Sequence, residues 1–356
     1  MSRQELSPFL PEDTLCDPQD ARRSNRGRVM RSIITRGPAS RAELARRTGL
    51  SRPTVSVIVN ELMTTGVLME GERVSSGGAP GTLLEIAKDT GVTVAADLRV
   101  PGRIRMAAVS VSGEILQSRT AVATTRQALA TALIGFSQNV APTATLGVAL
   151  GVPGWVNPAG EWLDAHTPEV DPALLLELRK KLRTPVFALN STDAIAVADL
   201  RGSPPGLAAQ ASISMDSRVS AGLVIGGRLR TGLRRPAGDI AHVVPGPPGP
   251  VCPWCGRSCL QAHVMPLTTD YSPMSRRRAA EALGTVMAPI AAAVELGEVV
   301  LAGFPGEIAA ALAHEMAMHM GTRMLEEQVP TVRVSSCGKD GVVLGAAAMM
   351  LYRRLA

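Results

Sequence analysis

Aromatic side chains are scarce in this chain: three Trp, two Tyr and four Phe make up 3% of its residues. Its cores must therefore close with aliphatic and small residues, and close packing without large rings brings backbones near one another. An apolar leader is also lacking. The first twenty residues carry Glu5, Glu12, Asp13, Asp17 and Asp20, a pattern that excludes a secretory signal there. Long uninterrupted hydrophobic runs are missing too. The most apolar stretch, 283–304, is broken by Glu295 and Glu298 and predicts a helix followed by a strand, not a membrane span. A cytoplasmic protein without membrane contact is expected. With 46% hydrophobic and 19% charged residues, the composition is that of ordinary globular domains, and 356 residues suffice for two or three of them.

Acidic residues are nearly absent from one segment. Between Arg22 and Arg52 ten arginines face a single acid, Glu43, so this segment carries +9 of a total of +6 and leaves about −3 for the rest. Residues 1–21 read as a loose, disordered tail. Helical periodicity starts near Ser24, places Val29, Met30, Ile33 and Ile34 on one face, and stops at Gly37-Pro38. Ser40-Arg41-Ala42-Glu43 has the form of a capping box, with Ser40 capping a helix and Glu43 reaching back. Gly49 supplies a turn, and Ser51-Arg52-Pro53 starts a second helix with an inward stripe of Val55, Ile58, Val59 and Leu62. This is the helix-turn-helix pattern. Two strands follow, joined by the glycine-rich 75–78 loop as a wing. The spacing predicts a winged helix-turn-helix over 22–88, with Arg41, Ser51, Arg52, Thr54, Ser56 and Asn60 as the DNA-binding residues. Flanking arginines would neutralise phosphates. The loop reads Gly78-Ala79-Pro80-Gly81, without an arginine at its tip for the minor groove.

From Val92 the pattern turns to strands, predicted over 92–97, 105–111 and 114–119, then a helix over 126–140 and a strand over 146–151. A strand over 186–189 leads into a helix to about Leu200. A second unit holds a strand at 223–225, helices over 276–293, 307–318 and 342–355, and a strand over 299–302. Two successive strand-then-helix units predict an α/β protein with two lobes, 89–205 and 206–356, the C-terminal helix packing back on the first lobe. The stretch 266–278, with Pro266, Pro273 and three arginines, reads as an exposed link.

Three of five cysteines, Cys252, Cys255 and Cys259, lie within eight residues, and His242 stands ten residues upstream. In a reducing compartment three thiolates and one imidazole suit tetrahedral Zn²⁺ with no open position, hence a structural site. The rival is a redox Cys-Pro-Trp-Cys pair, which normally opens a helix after a strand and leaves the third cysteine unexplained. Cys16 and Cys337 read as unpaired bystanders.

Gly238-Asp239-Ile240-Ala241-His242, the cysteine cluster, and Asn190-Ser191-Thr192-Asp193-Ala194 together resemble motifs of the ROK (repressor, open reading frame, kinase) family, where Gly-Glu-Ile-Gly-His precedes a three-cysteine zinc cluster. The resemblance runs from about residue 22 onward. It implies a winged helix-turn-helix followed by a two-lobed, actin-like ATPase (sugar-kinase-like) domain, assembled as a homodimer or tetramer. The family's first phosphate cradle is Asp-Gly-Gly-Thr, and here Asp97-Leu98-Arg99-Val100 stands in its place. The second is glycine-rich, whereas here 216–222 keeps only Gly222. The family's base aspartate falls on Ser191. No phosphotransfer is expected. Sugar-binding positions of the family fall on Asn190, Ser191, Asp239, His242 and Gln261, three of them altered, so the effector is a sugar, another small molecule, or none. The resemblance thus implies a regulator, more often a repressor, on an inverted-repeat duplex operator. The alternatives are an ATP-dependent hexose kinase and a constitutive DNA binder.

Overall fold

A computed structural model of the chain describes residues 18–74, 81–140, 145–157, 162, 172–204, 207, 209–215, 218–232, 237–246 and 249–355. These form two compact units, one of residues 1–89 with 352–356 and one of residues 90–351.

The first unit opens with helix α1 (Pro18–Arg36), which starts six residues before Ser24. Proline at a first helical position needs no amide partner, so the helix begins inside the stretch read as tail. Helix α2 (Arg41–Thr48) is capped by Ser40, whose side chain accepts from the Glu43 amide at 3.2 Å. Only half of the expected capping box forms. The Glu43 carboxylate instead pairs with Arg46 and Arg47, because a charge-assisted contact one turn away outweighs a neutral amide. Gly49, at φ 67°, ends the helix, and its amide donates to the Ala45 carbonyl at 2.9 Å. Helix α3 (Arg52–Thr64) follows after the Ser51 cap. Strands β1 (Leu68–Val74) and β2 (Gly81–Ile86) pair antiparallel, and Ala39 bridges to Leu84. The wing tip, 75–80, lies outside the described residues. Val29, Met30, Leu44, Val55, Leu62 and Leu84 are fully buried and form the centre of this unit.

The second unit contains two five-stranded sheets built on one plan. The first comprises β3 (Val92–Asp97), β4 (Arg103–Ser110), β5 (Ile115–Val122), β6 (Thr145–Val152) and β7 (Val186–Asn190), in the order β5-β4-β3-β6-β7. Its first three strands are antiparallel, and β6 and β7 join β3 in parallel. Helices α4 (Arg126–Val140) and α5 (Pro172–Leu182) serve this sheet. The second comprises β8 (Ala209–Met215), β9 (Val219–Ile225), β10 (Arg228–Arg230), β11 (Glu298–Ala302) and β12 (Thr331–Val334), in the order β10-β9-β8-β11-β12, with the same antiparallel triplet and parallel pair. Its helices are α7 (Leu260–Val264), α8 (Pro273–Val294) and α9 (Gly306–Gly321). The repeated plan is that of the two-lobed, actin-like fold.

Helix α6 (Ser191–Asp199) is buried at every position. Small residues make that possible. A Cβ on Gly222 of β9 would lie 2.6 Å from the Thr192 carbonyl oxygen, and one on Gly345 would lie 1.7 Å from that of Ala194. Gly345 belongs to helix α10 (Gly341–Leu355), whose Val342, Val343, Ala346 and Met350 pack with Ala95, Ala149 and Phe187 of the first sheet. The stretch 266–278 is not a link. Ser272 caps α8 with Pro273 in its first turn, and Arg276 pairs with Glu315 of α9 at 2.8 Å. Proline there starts a helix because its missing amide is one the helix would leave unbonded. No helix among the described residues is long and apolar enough to cross a membrane.

Candidate functional site

The first site is the outer face of α3. Its inward stripe of Val55, Ile58, Val59 and Leu62 is buried, which leaves Arg52, Pro53, Val57, Asn60 and Thr64 exposed on the opposite side. Arg52 bonds to no described residue. Ser51 and Thr54 serve the helix start instead, their hydroxyls 2.8 Å apart and the Thr54 amide 3.3 Å from Ser51 Oγ. Ser56 is half-buried. Arg41 donates to Asn60 Oδ1 at 3.4 Å and to Glu70 at 3.3 Å, so it orients Asn60 from the side. Val57, 55% exposed, was missed by sequence reasoning. Its position between the inward Val55 and Ile58, three residues before Asn60, was the available signal.

Many of the arginines spend their donors inside the unit. Arg28 bonds the Thr48 carbonyl, Arg22 pairs with Glu61, and Arg47 holds Glu43 at 2.9 Å and the Gly37 carbonyl at 3.3 Å. Arg31 lies 5.2 Å above the Tyr352 ring, a cation–π contact. Burial, with Arg47 nearby, holds the Arg36 guanidinium below its usual range. Their charge still contributes to the field; Arg52 is exposed and bonds to no described residue, while Arg22 and Arg46, also exposed, pair with Glu61 and Glu43.

The second site is the cysteine cluster. A tight turn closes with the Gly256 amide on the Cys252 carbonyl at 2.9 Å, Gly256 taking φ 66°. Cys259 then caps α7. The donor atoms of His242, Cys252, Cys255 and Cys259 all lie within 4.8 Å of one another. Cys255 Sγ is 3.6 Å from Cys259 Sγ, and His242 Nδ1 is 3.5 Å from Cys259 Sγ and 3.9 Å from Cys252 Sγ. Ligands bound at about 2.3 Å (thiolate) and about 2.0 Å (imidazole) to one tetrahedral ion stand roughly 3.5–3.8 Å apart. The cluster therefore has the dimensions of a metal site. Cys252 and Cys259 are fully buried. The redox alternative lacks its setting, since Cys252 and Cys255 occupy a turn and α7 starts only at Leu260.

The third site is the region of the inner polar residues. Asn190 caps α6, accepting the Thr192 amide at 2.8 Å and that of Asp193 at 3.3 Å, while its own amide donates to the Gly154 carbonyl at 2.7 Å. The first residues of β9 tie the surrounding elements together. Arg218 pairs with Asp239, the Val219 amide donates to Gln261 Oε1 at 2.7 Å, and Ser220 Oγ lies 2.6 Å from Thr192 Oγ1. The Ala221 amide donates to the Gly238 carbonyl at 2.9 Å. Asn190, Asp239 and Gln261 are thus engaged by protein partners, His242 faces the cysteines, and Ser191 is buried. Next to it, burial pushes the Asp193 carboxyl up to about 8. Residues 216 and 217 lie outside the described residues.

The turn after β3 is similarly filled. The Leu98 amide donates to the Gly151 carbonyl at 2.9 Å, and the Arg99 amide to Asp97 Oδ1 at 3.0 Å. The Arg99 guanidinium grips the same carboxylate at 2.8 Å. Among the described residues at these two turns, the amides of Leu98, Arg99, Val219 and Ala221 are bonded within the protein.

Residues 101–265 match the ROK family, and residues 24–78 match the MarR family. The chain is 25% identical over 267 residues to the xylose repressor of Bacillus subtilis, covering 70% of this chain and 67% of that protein. Over 90 residues it is 36% identical to an N-acetylmannosamine kinase of Escherichia coli, covering 25% of this chain and 31% of that enzyme. A crystal structure of a ROK family transcriptional regulator, a homologue of the E. coli MLC protein, superposes with TM-score 0.71 at 21% identity, covering 94% of this chain and 98% of that one.

Proposed function

From the premise that this chain joins a ROK family domain to a MarR-type helix-turn-helix segment, we propose that it is a sequence-specific DNA-binding transcriptional regulator, acting as a repressor. The observation that carries this reading is α3, capped, rigidly packed on one face, and presenting Arg52, Val57 and Asn60 on the other. An arginine can take the major-groove edge of guanine, an asparagine that of adenine, and an apolar side chain the thymine methyl. A homodimer, or a tetramer made of such dimers, would set two α3 helices about one DNA turn apart on an inverted repeat. Work in the cytoplasm, beside the genome, follows from this reading.

Zinc is the ion that three thiolates and one imidazole suit, held by His242, Cys252, Cys255 and Cys259. With four protein ligands it has no open position and supplies no chemistry beyond holding the turn to α7.

The ROK domain acts in this reading as a sensor without phosphotransfer. At the two turns that would cradle phosphates the amides of Leu98, Arg99, Val219 and Ala221 are bonded internally, and Ser191 offers no base near neutral pH. The effector is a sugar or another small polar metabolite near Ser191 and Asp239, with Asn190, His242 and Gln261 holding the frame around it. It acts by preferring one arrangement of the two lobes. The kinase alternative is favoured by the 90-residue similarity to an N-acetylmannosamine kinase. Two measurements separate the readings. Genome-wide footprinting should return a palindromic site, and coupled ADP release with a panel of hexoses should stay at the no-enzyme rate. Hexose-dependent turnover with no recovered site would refute the proposal.

A further inference from the structure

Helix α9 turns Ile308, Leu312, Met316 and Met320 inward, where they join one core with Leu283 and Met287 of α8. Its flank is tied to α8 as well, Glu315 to Arg276 at 2.8 Å and His319 to Thr285 at 3.1 Å. The outer side runs through Glu307, Ala310, His314, Ala317, Met318 and Gly321, all exposed except the half-buried Ala317. Spacings of three and four put these residues on one side of the helix. A helix side left to water ordinarily carries charged and polar side chains. Here the row holds one carboxylate, at its start, and no lysine or arginine before Arg323, beyond the helix end. Met318 is 62% exposed, as is Leu325 further along the chain. The Glu307 and His314 side chains bond to no described residue.

Sizes and charges along this row complement the same row run backwards. In a two-fold pairing each contact occurs twice, residue i of one copy meeting residue j of the other and the reverse. With His314 on the axis and the helices antiparallel, Met318 falls opposite Ala310, a large side chain over a small one. Gly321 leaves room at Glu307, and the exposed Arg323 comes to the same end as that carboxylate. Opposed helix dipoles favour the same arrangement. A parallel pairing would instead set Met318 on Met318 and Glu307 on Glu307.

We propose that α9 is a self-docking surface, across which a second copy of this chain packs its own α9 antiparallel about a two-fold axis at His314. One helix pair covers less than the roughly 800 Å² per partner of a standard interface, so a micromolar dissociation constant is expected. The occupant rests on the homodimer of the preceding reading, while the docking itself needs no DNA.

Analytical ultracentrifugation of the full chain without DNA, over about 1–100 µM, tests it. The wild type should dimerise. Ala310→Glu sets a carboxylate against Met318 of the second copy and should weaken the dimer at least about tenfold. Glu307→Arg and Arg323→Glu each oppose like charges and should weaken it at low salt, and the two combined should restore it. These three side chains are exposed within one chain, so every variant keeps the wild-type circular dichroism. Recovery in the charge exchange is a result that loss of fold cannot produce. If the wild type is a tetramer, Ala310→Glu should leave dimers. A wild type that stays monomeric overturns the proposal together with the homodimer of the preceding reading. An assembly that ignores Ala310→Glu, or charge variants that do not recover in combination, overturn this surface alone. A chain that dimerises through α9 and ignores duplexes overturns the preceding reading alone.

Discussion

Replacing Cys259 with Ser removes one corner of the cluster while barely changing volume. The thiol is fully buried, 3.6 Å from Cys255 Sγ and 3.5 Å from His242 Nδ1. With three donors left, a structural ion loses the closed shell that holds it. An ion present at about a thousandfold over its dissociation constant stabilises the folded state by roughly 4 kcal/mol. For a unit as large as 90–351, each kcal/mol moves the midpoint by about 2–3 °C, so a fall of roughly 8–12 °C is expected. A serine hydroxyl left unbonded there adds about 1–3 kcal/mol of its own. Chelating the wild type strips the ion without introducing that hydroxyl and so gives the metal's share alone. The assay is elemental analysis of purified protein beside thermal unfolding with and without chelator. About one zinc per chain is expected in the wild type and in Cys337→Ser, whose thiol lies outside the cluster, and almost none in Cys259→Ser. A metal-free wild type whose melting ignores chelator would refute the argument from donor spacing.

Three other perturbations read different parts of the molecule. Arg52→Ala should weaken operator binding by about 1–3 kcal/mol, roughly 5- to 150-fold, with no change in melting temperature, because the side chain is exposed. Anisotropy titrations on a footprinted duplex measure this, and an undiminished affinity removes Arg52 from the contact set. Asp193 holds its proton in the folded state up to about pH 8, against about 4 when unfolded. Folded protein therefore binds the extra proton, and stability falls as pH rises through that window, by at most about 1.4 kcal/mol per pH unit. In urea unfolding, Asp193→Asn should be relatively more stable at pH 8 than at pH 5, and an equal difference at both values rejects the assignment. Gly345→Ala should cost at least about 1–3 kcal/mol, since the added carbon would sit 1.7 Å from a backbone oxygen of α6. A denaturation midpoint unchanged from wild type would show that α10 can shift at no cost.

Much of this was legible in order along the chain. Helix caps at Ser40 and Ser51, the turn at Gly49 and the inward stripe of α3 are local events within a few residues, and each formed where the spacing put it. The extents of β3 and α4 were equally plain, since each is one apolar period between turn signals. Helix α5 and strand β12 were missed. The first is a short leucine run whose start signal, Asp171-Pro172, went unread, and the second is a four-residue strand defined by its parallel partner β11.

Sequence alone determined the helix pair with its cap and the donor types of the cysteine–histidine cluster, because propensity, patterning and close spacing act over short range. Tertiary structure decided where the donors went. Arg41 turns toward Glu70, Gln261 reaches back 42 residues to the Val219 amide, and Arg105 meets Asp340 across 235 residues. A hydrogen bond between groups so far apart in the chain exists only once the elements that carry them have packed. Which arginines are left to meet an anion, and which amides are already spoken for, follows from that packing.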